Sequence, residues 1–130
     1  MTVLWSMELS LFSNLDEEVT GLDHLIQKLI EFRDQRNWKQ FHNPKDLVIS
    51  LVLEAGELLE LFQWKSSEQA VLEKRDDIEE EMADVLMYLL LLSNELGIDL
   101  EQAVIDKIAK NVKKYPESKS YGSSKKYTDL

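Results

Sequence analysis

From Leu22 onward apolar residues recur every three or four positions. Leu22, Leu25, Ile26, Leu29 and Ile30, followed by Arg33, fall on one side of a helix of 3.6 residues per turn. The pattern ends near Asn37, and Trp38–His42 reads as a connecting loop. A second helix is signalled by Asn43-Pro44-Lys45-Asp46, with Asn43 at the N-cap, Pro44 at the first helical position and an acid in the first turn. It is expected to run to about Trp64. Residues Lys65–Arg75 are polar and read as a connection with room for one short helical turn around Glu68–Leu72. A third helix is expected from Asp76 or Asp77, with Glu79 and Glu80 where the macrodipole favours acids, and it should stop at Gly97. Asp99 caps a fourth helix, with Gln102 three residues on. That helix carries the stripe Leu100, Val104, Ile105, Ile108 and Val112, and Pro116 closes it. The predicted architecture is all-α: a four-helix bundle core over residues 21–116. Residues 1–20, weakly periodic, form an N-terminal arm whose Trp5 and Phe12 are available to dock on a partner. Residues 117–130 form a polar, mobile tail.

Composition narrows the class. A chain of 130 residues fits one domain but is short for burying several long helices alone, so a homo-oligomer is expected. Only four glycines and two prolines suit a helical protein, and the lack of cysteine excludes a disulfide scaffold or a thiolate metal site. The formal net charge of −10 disfavours polymeric nucleic acid as a partner. The longest apolar stretch, Val85–Leu92, is too short to cross a bilayer, and no basic start precedes an apolar run as in a signal peptide. A soluble, cytoplasmic protein with no membrane partner is expected.

The candidate chemistry lies in two carboxylate pairs, Glu54-Ala-Gly-Glu57 and Glu81-Met-Ala-Asp84. A spacing of three puts both acids of a pair on one helix side. That side is apolar: Leu47, Leu51, Leu58 and Leu61 flank the first pair, and Val85, Tyr88 and Leu92 continue the second. A lone E-x-x-E is usually a solvated pair. Here neither pair has a Lys or Arg one turn away, and the small residues Gly56 and Ala83 would admit a ligand or a neighbouring helix. Four such acids in a partly dry groove repel one another and resist ionisation, and a hard divalent cation relieves both costs. Neither His24 nor His42 follows a Glu by three residues, which excludes the Glu-x-x-His di-iron pattern. Oxygen-only ligation by Glu54, Glu57, Glu81 and Asp84 favours Mg2+, with Mn2+ as the alternative. Tyr88, one turn beyond Asp84, is expected to reach substrate, and His24 reads as an ordinary helix histidine.

The order of these motifs is specific. Arg36-Asn-Trp38-Lys-Gln-Phe41-His42-Asn-Pro44-Lys-Asp-Leu47 is followed by Glu54-x-x-Glu57-Leu-x-Glu-Leu-Phe62-Gln63-Trp64-Lys65, then Glu81-x-x-Asp84-Val85-Leu-x-Tyr88, Lys107-x-x-x-Asn111-x-x-x-Tyr115-Pro116 and Lys126-Tyr127-Thr128. From about Leu22 to Leu130 the chain resembles the MazG-like all-α nucleotide pyrophosphohydrolases, above all their dCTP pyrophosphatase branch.

The resemblance implies hydrolysis of a nucleoside triphosphate to the monophosphate and pyrophosphate, with dCTP or a modified dCTP favoured, as nucleotide-pool housekeeping. It implies Mg2+ on the four acids; a carboxylate not fully used in ligation, Glu57 or Glu60, is the candidate to take the proton of the attacking water. It assigns Trp38, His42 and Trp64 to the base, and leaves Phe41 to packing. Lys107, Asn111 and Tyr115, spaced by four and so on one helix face, are assigned to phosphate and sugar, with Lys125 and Lys126 able to close over the phosphates. It also implies a homotetramer rather than a dimer. The rival readings are a broader-specificity MazG-like or dUTP-type hydrolase, and a non-catalytic helical interaction module.

Overall fold

The computed structural model describes residues 21–130; the expected arm at 1–20 lies outside the described residues. Five α-helices follow in order: α1 Leu22–Gln35, α2 Pro44–Glu60, α3 Ser67–Leu96, α4 Leu100–Lys114 and the short α5 Glu117–Ser120. Single 3-10 turns stand at Lys39–Phe41 and Tyr127–Asp129, and no strand occurs among the described residues. None of the helices is long and apolar enough to cross a membrane among those residues.

Each cap predicted by spacing forms. Asn43 accepts from the Asp46 amide at 2.9 Å at the start of α2, and Asp99 accepts from the Gln102 amide at 3.0 Å at the start of α4. These bonds satisfy amides that a helix start leaves without partners. Gly97 ends α3 in the left-handed region at φ 63°, where a β-carbon would be strained.

Two boundaries differ from expectation. The second helix stops at Glu60, and Leu61–Gln63 tighten into turns bonded three residues back, ahead of Trp64 at φ 63°. The polar stretch after Lys65 is helix rather than connection. Ser66 caps it, accepting from the Gln69 amide at 3.1 Å. Glu68–Leu72 then continues through a break in helical geometry at Lys74 (φ −125°, ψ 22°) into the long acid-bearing segment. Good helix formers fill this stretch, Ala70 is fully buried, and Lys65 pairs with Glu73 at 2.7 Å.

The chain divides into two compact units, one ending at Gly97 and the other covering Ile98–Leu130. In the first, α3 packs on α2 and on α1. Its buried residues are Leu47, Ala70, Leu90 and Leu91, with Arg33 and Ser93 among them; the Ser93 hydroxyl donates back to the Leu90 carbonyl at 2.7 Å. This core is small. Val48, Ile49, Val52, Leu53 and Leu59 on α2, and Met82, Leu86 and Leu96 on α3, remain exposed. In the second unit α4 has no buried residue. The expected polar tail carries α5 and the closing turn, where Tyr115 and Tyr127 meet edge to face at 5.9 Å and the Lys114 ammonium lies 5.0 Å from the Tyr127 ring.

Leu90 is 1% exposed and Leu72 86% exposed. Leu90→Ala is therefore expected to cost about 2–5 kcal/mol in urea unfolding, and Leu72→Ala within about 0.5 kcal/mol. Equal losses would contradict the placement of the core.

Candidate metal centre

Because α2 and α3 pack together, their acid pairs face each other. One carboxylate oxygen from each of Glu54, Glu57 and Glu81 lies within 4.8 Å of the others. Glu54 and Glu81 are half-buried and Glu57 is exposed. Oε2 of Glu54 and Oε2 of Glu81 are buried without a hydrogen-bond partner. Asp84, half-buried one turn along α3, adds its charge to both.

The electrostatic cost falls on the acids themselves. Burial raises Glu54 to about 7, and Glu57, then Glu81 and Asp84, push it the same way. Glu81 is raised as well, chiefly by burial; hydrogen bonding with Glu54 opposes the rise, and the charges of Glu57 and Asp84 reinforce it. Buried acceptors without donors, converging and negatively charged, fit a hard divalent cation. Zinc and iron favour nitrogen or sulfur donors, and Glu54, Glu57 and Glu81 offer only oxygen.

Glu54 and Asp84 also line a neighbouring cavity of about 120 Å³. Leu29, Phe32, Met87 and Leu91 form its apolar walls, and Trp38, His42, Tyr88 and Arg33 complete it. Phe32 and Trp38 meet edge to face at 5.7 Å, and the Arg36 guanidinium lies 3.7 Å from the Phe32 ring centroid and 6.0 Å from that of Trp38. Nδ1 of His42 is buried without a partner. Burial lowers the pKa of His42, the Arg33 cation lowers it further, and Glu95 opposes the shift. The ring is held neutral.

The structure thus brings together Glu54, Glu57 and Glu81 at one point, and Trp38, His42, Tyr88, Glu54 and Asp84 around one cavity. Glu60 stands apart, in a surface groove with Gly56, Leu59, Phe62 and Gln63. Trp64, expected at the base, is 92% exposed and does not line the cavity, because α2 ends early and the chain turns away. Phe41, expected to pack, is 63% exposed. Lys107 and Asn111 are exposed on α4, and Tyr115 caps it, donating its amide to the Asn111 carbonyl at 2.8 Å. Arg33 occupies a periodic position of α1 and carries a charge whose role the periodicity alone does not show. Its signal was there: an arginine on an otherwise apolar stripe.

The sequence profile of the MazG-like family matches residues 49–130. The chain belongs to the MazG-like family. Within it, the dCTP pyrophosphatase 1 of Mus musculus is 47% identical over 105 residues, covering 77% of this chain and 62% of the relative. The dCTP pyrophosphatase 1 of Homo sapiens is 42% identical with the same coverage. This MazG-like chain therefore spans about 62% of the length of these curated relatives. The crystal structure of a pyrophosphatase from Archaeoglobus fulgidus matches with a TM-score of 0.71 at 42% identity, covering 75% of this chain and 94% of that one.

The raised acids give this MazG-like centre a pH signature. With Glu54 lifted from 4.5 to about 7, the folded chain binds more protons than the unfolded one in that window, so stability falls as pH rises through it. His42, lowered from 6.5, has the opposite sign, so the test is the difference between the native chain and Glu54→Gln. In EDTA, that stability difference is expected to move against the native chain between pH 4.5 and 7. A divalent cation at about 100 times its Kd should add about 2.7 kcal/mol to the native chain and much less to the variant. Thermal melts that coincide for both chains at every pH and cation level would contradict the shared acid cluster.

Proposed function

We propose that this chain hydrolyses nucleoside triphosphates to the monophosphate and pyrophosphate with Mg2+ as cofactor, dCTP or a modified dCTP being favoured. The observation that carries the reading is the junction of two unlike features at Glu54. On one side are converging acids with buried, partnerless oxygens; on the other is a ring-sized cavity with aromatic walls. A polyphosphate bridged to a cation needs the first, and a nucleobase needs the second. The relatives in the family are named as pyrophosphatases, two of them as acting on dCTP, which supports the same reading. It takes residues 21–116 as the hydrolase domain and 117–130 as its tail.

In this mechanism Glu54, Glu57, Glu81 and Asp84 hold the divalent cation. Held there, a divalent cation would supply neutralisation of charge on the α-phosphoryl oxygens and the departing pyrophosphate, and would lower the pKa of the attacking water. Glu57 is the exposed member of the cluster and takes the proton of that water. The water oxygen bonds to the α-phosphorus as the bridge to the β-phosphate breaks. Trp38 offers its face to the base, since stacking contributes about 1–3 kcal/mol per base, and Tyr88 offers a hydroxyl to the sugar. Lys107, Asn111 and Tyr115 serve the phosphates and sugar, and Trp64 frames the base in the assembled enzyme. Glu60, outside the cluster, is the weaker candidate for the base. Intact acid pairs beside a formed cavity weigh against a non-catalytic interaction module.

The functional unit in this reading is a homo-oligomer, a tetramer rather than a dimer. The support is physical: Val52 and Leu53 on α2, and Met82 on α3, are each more than half exposed, and faces of that kind need a partner in water.

The central test is pyrophosphate release from a panel of dNTPs with Mg2+ or EDTA. Glu57→Gln and Asp84→Asn, which keep shape and remove charge, are expected to retain the helical circular dichroism and lose about a hundredfold or more in turnover. Native rates in both variants, or native rates in EDTA, would contradict the metal assignment. Light scattering should find an oligomer; a monodisperse, active species at 15.2 kDa would contradict the assembly.

A further inference from the structure

Arg33 is 5% exposed and lines the cavity beside Trp38 and His42. A buried guanidinium is costly unless its donors are matched. Among the described residues its one side-chain bond runs from Nε to Oδ1 of Asp34 at 2.8 Å, and its one ion pair is the same contact. That bond fixes the plane of the group and leaves the terminal amino groups, a fork of parallel N–H donors, for another acceptor.

We propose that Arg33 is a base-recognition residue that reads cytosine, donating from its terminal amino groups to ring O2 and N3. The proposal rests on the cavity being the base subsite of the hydrolase. The cavity holds about 120 Å³, below the roughly 300–1,000 Å³ of pockets that enclose whole drug-sized ligands, so it takes a single ring and leaves the sugar and phosphates outside. Phe32 and Trp38 supply aromatic surface, and neither offers a carboxylate to the guanidinium. Glu54 and Asp84 also line the cavity, but among the described residues no hydrogen bond or ion pair joins either to Arg33, so the terminal amino groups gain their acceptor from the ligand.

Chemistry then selects the base. Cytosine carries two adjacent acceptors on one edge, O2 and N3, and a guanidinium fork pairs with two adjacent acceptors as it does with O6 and N7 of guanine. Uracil and thymine keep O2 but carry a donor at N3, so the same fork meets one acceptor and one opposed N–H. Substituents at position 5 of the ring lie away from this edge, which leaves modified cytosines acceptable. His42, held neutral beside Arg33, adds no second cation to the cavity. Asp34 is a positioning residue in this scheme.

The experiment compares dCTP and dUTP hydrolysis by the native oligomer, Arg33→Met and Arg33→Lys. Native enzyme should favour dCTP. Arg33→Met keeps the apolar stem; it should lower kcat/KM for dCTP about tenfold or more, mainly through KM, and change dUTP less than about threefold. Arg33→Lys, a charge without a fork, should not restore the dCTP to dUTP ratio. A second readout uses native protein alone. Arg33 is one of three arginines, and its Nε–Hε nuclear magnetic resonance signal should move on addition of deoxycytidine and stay in place with inorganic pyrophosphate. An unchanged ratio in an active Arg33→Met enzyme, or an Arg33 signal indifferent to deoxycytidine, would overturn the proposal. Native protein that hydrolyses no dNTP would instead refute the hydrolase reading, and the nucleoside titration would still report on Arg33 separately.

Discussion

Carboxylates do not gather in a half-buried seam without a counter-charge. In this chain the seam between α2 and α3 brings Glu54, Glu57 and Glu81 within 4.8 Å of one another and leaves two buried oxygens without donors. The cost is a Glu54 that holds its proton up to about 7. Other features of the first unit are arranged around this seam. The core residues Leu47, Leu90 and Leu91 fix the two helices, and the capped start of α2 sets its register. The loop before it places Trp38 and His42 beside the seam rather than on it.

The same arrangement explains why binding and chemistry are neighbours and yet separable. The seam is an anionic sink suited to a cation and its phosphate ligands. The cavity is small, largely apolar and cationic at Arg33, with a neutral imidazole beside it. In the proposed reading a triphosphate would span both, with its base in the low-dielectric end, where hydrogen bonds discriminate strongly, and its reacting phosphorus at the acids. Glu54 belongs to both regions, so changes there should affect metal and base together. Arg33 and Trp38 sit on the base side, and Glu57 and Glu81 on the metal side.

Much of this was legible in the sequence, for identifiable reasons. Caps are local chemistry, so Asn43, Asp99 and Gly97 marked true helix ends. The acid pairs were legible because i, i+3 spacing fixes a face whatever the tertiary context. Less legible was whatever depends on where the chain goes next. Lys65–Arg75 is polar and looked like a connection, but its residues are good helix formers and Ala70 finds a buried seat. Trp64 is adjacent to the acid helix in sequence, but the early stop of α2 at Glu60 and the left-handed turn at Trp64 leave its indole exposed within the single chain. Glu60 sits three residues past Glu57 but six past Glu54, and those 600° of rotation leave it about 120° around α2 from Glu54 and outside the cluster. Arg33 was the opposite case: its stripe position was plain, and only the cavity gave its charge a purpose.

The claim on which all of this depends is that the four acids form one cation site that is protonated when empty. Titrating the metal-free protein with Mg2+ in a pH-stat measures this directly, since binding must expel the protons that repulsion and burial retain. At pH 6, below the value of about 7 held by Glu54, close to one proton should be released per site filled. Release should vanish above pH 8.5 and be sharply reduced in Glu54→Gln, where only Glu81 keeps a raised pKa. Mg2+ binding with no proton release at pH 6, or release undiminished by Glu54→Gln, would contradict the shared site.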